Sequence, residues 1–189
     1  MNRIKICPFL ILSTKVNTLS NDTISYLENG HEFTVHFDEL LKYHGAGYPG
    51  GVVHGLKVMQ RAWPLLDNGR LPERREIRCV TAFGGPGGRD AIEFVTRGLT
   101  EGRYIVDNSV GLEEEESPGG RYYFRFEYRG TAVEITIRPG HVRPEFIQLA
   151  RKKDRSPEEE IILAEMKLEM GERLLVQPAE DIYNATVLS

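Results

Sequence analysis

Between Arg121 and Arg138 the chain alternates with a period of two on both sides of a tight turn. Tyr122, Phe124, Phe126 and Tyr128 fall on one face of the first arm, and Tyr123, Arg125 and Glu127 fall on the other. Arg129-Gly130 supplies the turn, and Thr131 to Arg138 returns with Val133, Ile135 and Ile137 on one face. Aromatic residues pair well with β-branched residues across strands, so this stretch reads as a β-hairpin with one apolar side. Such a side must be covered, and the segments around the hairpin carry helical periodicity. The expected class is therefore α+β: a mixed or antiparallel sheet with packed helices, plus a helical C-terminal tail.

Helical periodicity is clearest over Gly51 to Asn68, where Val52, Leu56, Met59 and Trp63 form one apolar face. Pro64 is expected to end or kink that helix, and Asn68-Gly69 to stop it. Ile77 to Phe83 reads as a buried strand, Asp90 to Val95 as a helix packed on it, and Arg103 to Asn108 as a second strand. Upstream, Thr23 to Leu27 is expected to be a short helix or turn, and Glu32 to Phe37 a strand or entry loop. Asp38 is placed to N-cap a helix through Lys42. Downstream, Pro144 to Lys153 suits a short helix. Ser156-Pro157-Glu158-Glu159 is a helix start, with Ser as N-cap and Pro at the first turn. That helix is expected to run to Met170, capped by Gly171, with Ile161, Ala164 and Leu168 as its buried stripe. A last helix or extended tail holds Leu174, Leu175, Ile182 and Tyr183.

The 189 residues, 40% hydrophobic and 28% charged, suit one domain with an appendage. An arm or linker is expected over 1–22, a compact α+β domain over 23–140, and a helical extension over 141–189. A net charge of −4 gives no basic surface for nucleic acid. The longest apolar run, Ile6 to Leu12, falls short of the ~20 residues that span a bilayer. Behind Arg3 and Lys5 it reads as a short signal-like segment, an edge strand or a partner-binding arm. Two cysteines, Cys7 and Cys79, build no disulfide framework, so a cytoplasmic, reducing compartment is expected. The run Glu113 to Glu116 reads as a solvated loop or as a site for a cation. The C-terminal tail suits docking on a second copy of the chain, which makes a homodimer the expected assembly.

Two glycine-rich junctions carry the functional signal. One is YHGAGYPG, Tyr43 to Gly50; the other is FGGPGGRD, Phe83 to Asp90. Each leads into a helix, and helix N-termini present N–H groups and positive potential. Neither nucleotide fingerprint is met, since there is no Gly-Lys-Ser/Thr and no GxGxxG spacing. Gly45, Tyr48, Gly50, Gly87, Gly88 and Arg89 are the candidate ligand-binding residues, for a small anionic or pterin-like molecule, with tight structural packing as the alternative. His44, His54 and Asp90 are the candidate metal ligands, His44 and His54 flanking the Pro-Gly turn. Asp90 read simply is a helix N-cap or first-turn acid, and His54 a helix-surface residue. Cys79 reads as a buried small hydrophobe.

From Asp38 to Arg138 the chain resembles the FmdE family, which comprises a component of formylmethanofuran dehydrogenase and its stand-alone homologues. That family carries a HGHxCPG segment before a helix, then a strand leading to Cys-x-x-Asp-Ala-Ile on a second helix. His44, Gly45, Pro49 and Gly50 match the first motif; Asp90, Ala91 and Ile92 match the second. Thr96, Thr100 and Gly102 fit a turn that follows, and the hairpin fits the next strands. The tail Ala179-Glu180-Asp181-Ile182-Tyr183 is similar to the family's closing segment. The resemblance implies an α+β fold with a sheet like that of a glyceraldehyde-3-phosphate dehydrogenase domain, and a zinc site. Ala46, Tyr48 and Gly87 stand where the family has its second His and its two Cys. The expected function is a zinc-binding or accessory protein of this kind, without the enzyme's redox centre. Two alternatives stand beside it: a small-molecule binding module without the metal, and an enzyme in which Asp90 orients His44 for acid–base chemistry.

Overall fold

A computed structural model describes residues 21–45, 49–112 and 116–188. The described chain opens with a hairpin of β1 (Thr23–Glu28) and β2 (His31–His36). The expected short helix over Thr23–Leu27 is a strand. Ile24 and Tyr26 alternate inward, and Asn29-Gly30 adopts the left-handed backbone, φ 52° and 76°, that a two-residue hairpin turn requires. The Glu73 carboxylate accepts from both turn amides at 2.9 and 3.1 Å.

Helix α1 (Phe37–His44) follows directly. Its N-cap is His36 rather than Asp38, which lies in the first turn, and Glu39 accepts from the His36 amide at 2.9 Å. Helix α2 (Pro49–Leu66) is the central element. Pro64 does not end it; the helix passes through to Leu66, and Gly69, at φ 82°, stops the chain by donating to the Pro64 carbonyl at 2.9 Å. The proline sits in the last turn, where little helix remains to be disrupted.

A 3-10 turn at Arg74–Glu76 leads to β3 (Arg78–Phe83) and then α3 (Pro86–Thr96). Next come β4 (Tyr104–Val106), β5 (Glu116–Ser117), β6 (Gly120–Tyr128) and β7 (Thr131–Ile137). Three helices, α4 (Pro144–Arg151), α5 (Pro157–Leu175) and α6 (Ala179–Ile182), precede β8 (Tyr183–Leu188). The main sheet runs β4-β3-β6-β7-β8, with β5 paired to β6. Only β3 and β4 are parallel among the described strands. The β6–β7 hairpin has the register expected for its turn, with Phe126 opposite Val133 and Phe124 opposite Ile135. The tail is thus partly a strand: β8 pairs with β7, and residues 183–188 complete the sheet.

The core lies between one sheet face and α2. Phe124, Phe126, Val133 and Ile135 from the sheet meet Leu56, Met59 and Trp63 from the helix, all buried. Trp63 stands edge-on to Phe126, with ring centres 5.2 Å apart. On α5 the buried residues are Leu163, Met170, Gly171 and Leu174, not the expected Ile161, Ala164 and Leu168. Ile161 is 61% and Leu168 51% exposed. Both sets obey helical spacing, so periodicity alone could not choose between them. Gly171 is no cap either; it lies inside α5, where an added Cβ would come within 3.2 Å of Gly50 N and Pro49 Cβ.

Glycines also set how α2 meets α3. A Cβ on Gly55 would lie 2.6 Å from Ala91 Cβ and 2.9 Å from the Gly88 carbonyl. One on Gly87 would lie 2.8 Å from the backbone of Gly51 and Val52. We therefore expect Gly55→Val to destabilise the fold by about 1–3 kcal/mol through overpacking, measured by urea unfolding. A variant as stable as the parent would mean that the helices can separate without loss.

Candidate functional site

The first glycine junction leaves His44 in the last turn of α1 and Gly45 at its C-cap with φ 94°. The chain resumes at Pro49, at the start of α2; Ala46, Gly47 and Tyr48 lie outside the described residues, as do residues 1–20 and the glutamates 113–115. Helix α3 begins at Pro86, four residues earlier than the expected start at Asp90. Gly87 and Gly88 are therefore helical, and Asp90 lies in the second turn rather than at the N-cap. Proline at the first helical position needs no N–H partner, which explains the early start.

That shift turns Asp90 toward α1. Its Oδ2 accepts a hydrogen bond from His44 Nδ1 at 2.7 Å. Its Oδ1 is held by Arg89, with Nε at 2.9 Å and Nη2 at 2.8 Å. The His44 side chain is only 7% exposed. A carboxylate on Nδ1 fixes the imidazole tautomer and ring orientation, placing the basic lone pair on Nε2. Arg89, a candidate ligand contact, is thereby engaged in positioning Asp90.

His54 is placed elsewhere. It is fully buried, not on the helix surface, and its Nδ1 is hydrogen-bonded to the Tyr183 hydroxyl at 2.6 Å. Its ring packs 4.5 Å from that of Tyr122, and Nε2 has no partner among the described residues. The structure brings together His44 and Asp90 but not His54 with them. Among the described residues, no three His, Cys, Asp or Glu side chains are grouped to hold a metal ion. Zinc takes three or four donors. The described residues offer two at His44–Asp90, so by themselves they do not fit the zinc site that the resembled family implies. Cys79 is buried in β3, where burial pushes its thiol well above the ordinary range.

The concave feature lies beside the dyad's helix, not at the dyad. A pocket of about 380 Å³ opens where the first turns of α2 and α3 meet the ends of β3 and β6. Gly51, Gly85 and Gly87 supply backbone to its wall, so Gly87 lines it among the candidate ligand-binding residues that the structure describes, Tyr48 lying outside them. Gly50 instead packs on α5, and Gly88 on the Phe83 ring. The side chains that shape the pocket are Phe83, Tyr122, Phe146, Met170 and Lys167. Phe83 and Tyr122 stack, with centres 4.8 Å apart and planes at 21°. No sequence pattern singled out Phe146, Lys167 or Met170 as site residues, because they come from α4 and α5. Tyr122 was legible only as part of an apolar strand face. A second hollow, of about 340 Å³, lies beside the β6–β7 turn. Its charges pair with one another, Arg78 with Glu127 and Arg129 with Glu76.

One more buried group ties the chain ends together. Lys57, fully buried in α2, donates to the carbonyls of Asn21 at 2.8 Å and Gln177 at 2.7 Å. Burial pulls its ammonium down to about 8. No helix among the described residues is long and apolar enough to cross a membrane. No protein-family model matches the sequence, and no curated protein matches it significantly.

Burial holds His54 down to about 3, against its usual 6.5. Between those values the unfolded chain takes up a proton that the folded state refuses. This contribution to stability is whole above pH 6.5 and is lost as pH falls, at up to about 1.4 kcal/mol per pH unit. Unfolding in urea at pH 7, 6 and 5 should therefore show a shallower decline for His54→Gln than for the parent. Parallel profiles would mean that His54 accepts its proton in the folded protein.

Proposed function

We propose that this chain is a small-molecule-binding protein whose ligand occupies the pocket between the first turns of α2 and α3. The observation that supports this reading is the pocket itself. Its volume falls in the range of small-ligand sites, roughly 300–1,000 Å³. Its lining is mostly aromatic and apolar with a single charged side chain, the composition such sites share. The second glycine junction contributes to it through Gly85 and Gly87, and Gly51, the residue after the first junction, adds backbone from α2. Kinship with the FmdE family of formylmethanofuran dehydrogenase, proposed on the motif resemblance, would make this a member in which Ala46, Tyr48 and Gly87 replace family ligands.

Pro118 is exposed at the pocket rim, in the turn before β6. Pro118→Trp should fill the mouth without touching the core. In ligand-observed NMR with a set of small aromatic compounds, we expect binding to the parent and a loss of at least tenfold in the variant. Binding that survives the tryptophan unchanged would place the ligand elsewhere.

A second reading is favoured by the 2.7 Å contact between His44 and Asp90. A carboxylate that fixes an imidazole serves either a general acid–base or a histidine metal ligand. For zinc, further donors would have to come from outside the described residues or from a second copy of the chain. The homodimer and the cytoplasmic location belong to this proposal too, and the exposed Ile161, Ile162 and Leu168 of α5 support a partner surface. Elemental analysis of protein purified without metal-affinity steps, beside His44→Ala, separates the readings. Near-stoichiometric zinc that vanishes in the variant would establish the metal reading; the small-molecule reading expects no metal in either and little loss of folding in His44→Ala. Light scattering on the same material reads the oligomeric state, and a monomer would remove the dimer.

A further inference from the structure

Among the described strands, the two edges of the main sheet are built differently. At one, β4 spans only the three residues Tyr104–Val106, between the charges of Arg103 and Asp107. Shortness and flanking charge are how a sheet edge resists pairing with another chain. At the other, β8 runs for six residues, Tyr183–Leu188, with no charge and no proline. Val187 lies opposite the buried Val133, on the core side of the sheet, yet is 51% exposed. No described strand pairs with the outer side of β8.

The hydrogen-bond phase of β8 identifies which of its backbone groups are open. In an antiparallel pair, opposite residues alternate between exchanging both bonds and exchanging none. Arg138 donates to the Ile182 carbonyl at 2.8 Å, in register with the pairing of β7 and β8, so Asn184, Thr186 and Leu188 are the residues that exchange bonds with β7. Tyr183, Ala185 and Val187 therefore turn their amides and carbonyls away from β7. Tyr183 is already satisfied: its amide donates to the Ala179 carbonyl, and its carbonyl accepts from Arg61 at 3.2 Å. What remains open is two amides and two carbonyls, on Ala185 and Val187, with no partner among the described residues.

A twofold axis through Thr186 satisfies all four groups at once. It lays β8 antiparallel to the same strand of a second copy, with Ala185 opposite the partner's Val187. Thr186 then meets its own counterpart at the close, non-bonded position, a favourable cross-strand pair. No like charges come face to face, because β8 carries none. Moving the axis to Ala185 would call on Tyr183, whose groups are taken. A free extended peptide would have to lose its chain entropy for four hydrogen bonds, whereas a second β8 arrives already extended.

We infer that this chain forms a twofold dimer through β8, the two main sheets joining across Thr186 into one continuous sheet. This rests on the homodimer reading above and assigns its surface. Sedimentation velocity of the full chain over a wide concentration range should show a dimer that dissociates on dilution. Val187→Pro removes an outward amide and no bond to β7, which an edge strand tolerates; with its circular dichroism unchanged, its dimer should dissociate at least tenfold more readily. In a Cys7→Ser background, Thr186→Cys should form an intermolecular disulfide on mild oxidation, since Cα atoms at the close antiparallel position lie about 4.5 Å apart, within disulfide reach. Asn184→Cys should not, because its counterpart lies four residues further along the partner strand. The cysteine pair decides alone if Val187→Pro does not fold. A dimer that Val187→Pro leaves intact and Thr186→Cys does not cross-link overturns the β8 interface and moves it to another surface, such as the exposed side of α5. A monomer at every concentration overturns the interface and the homodimer reading together.

Discussion

The fold depends on how closely α2 and α3 approach. Gly51 and Gly55 on one helix face Gly87, Gly88 and Ala91 on the other, and at Gly55 and Gly87 an added methyl would come within 2.6 and 2.8 Å of the opposite helix. This contact brings the first turns of both helices side by side. It also leaves the space above β3 and β6 to be walled by α4 and α5 instead of being closed by α3. The pocket is what remains between elements that meet through backbone at one end and through large side chains at the other. The same approach sets the pitch of α3 that turns Asp90 onto His44.

Three polar ties hold the C-terminal region to this centre. Tyr183 meets His54, Lys57 caps the carbonyl of Gln177, and Arg61 Nε donates to the Tyr183 carbonyl at 3.2 Å. All start from α2, so the last strand is tied to the central helix as well as to β7. Burying a lysine and a histidine costs free energy that hydrogen bonds must offset. The His54 contact leaves one ring nitrogen with no partner among the described residues, which makes this cluster sensitive to acid. Site and tail are therefore linked physically: Tyr122 belongs both to the pocket wall and to the packing around His54.

Much of this was legible in the chain. The β6–β7 hairpin follows from strict alternation around Arg129-Gly130, and the Ser156 capping box starts α5 where expected. The β1–β2 hairpin was equally written in Asn29-Gly30, a turn signal hidden by the shortness of its flanking strands. The buried side of α5 was not legible, since Leu163-Met170-Leu174 and Ile161-Leu168 are both helical stripes and only a packed neighbour distinguishes them. The meeting of His44 with Asp90, 46 residues apart, needed both helices in place.

Sequence alone determined the α+β class, the long apolar helix and the two glycine junctions, because periodicity and turn chemistry act over a few residues. Tertiary structure decided what the glycines are for. It made Gly50 and Gly87 points of contact between helices, set Gly85 and Gly88 against the Phe83 ring, and placed Lys167 beside aromatic rings in the pocket lining. Those outcomes depend on distances between segments far apart in the chain, which no local pattern encodes.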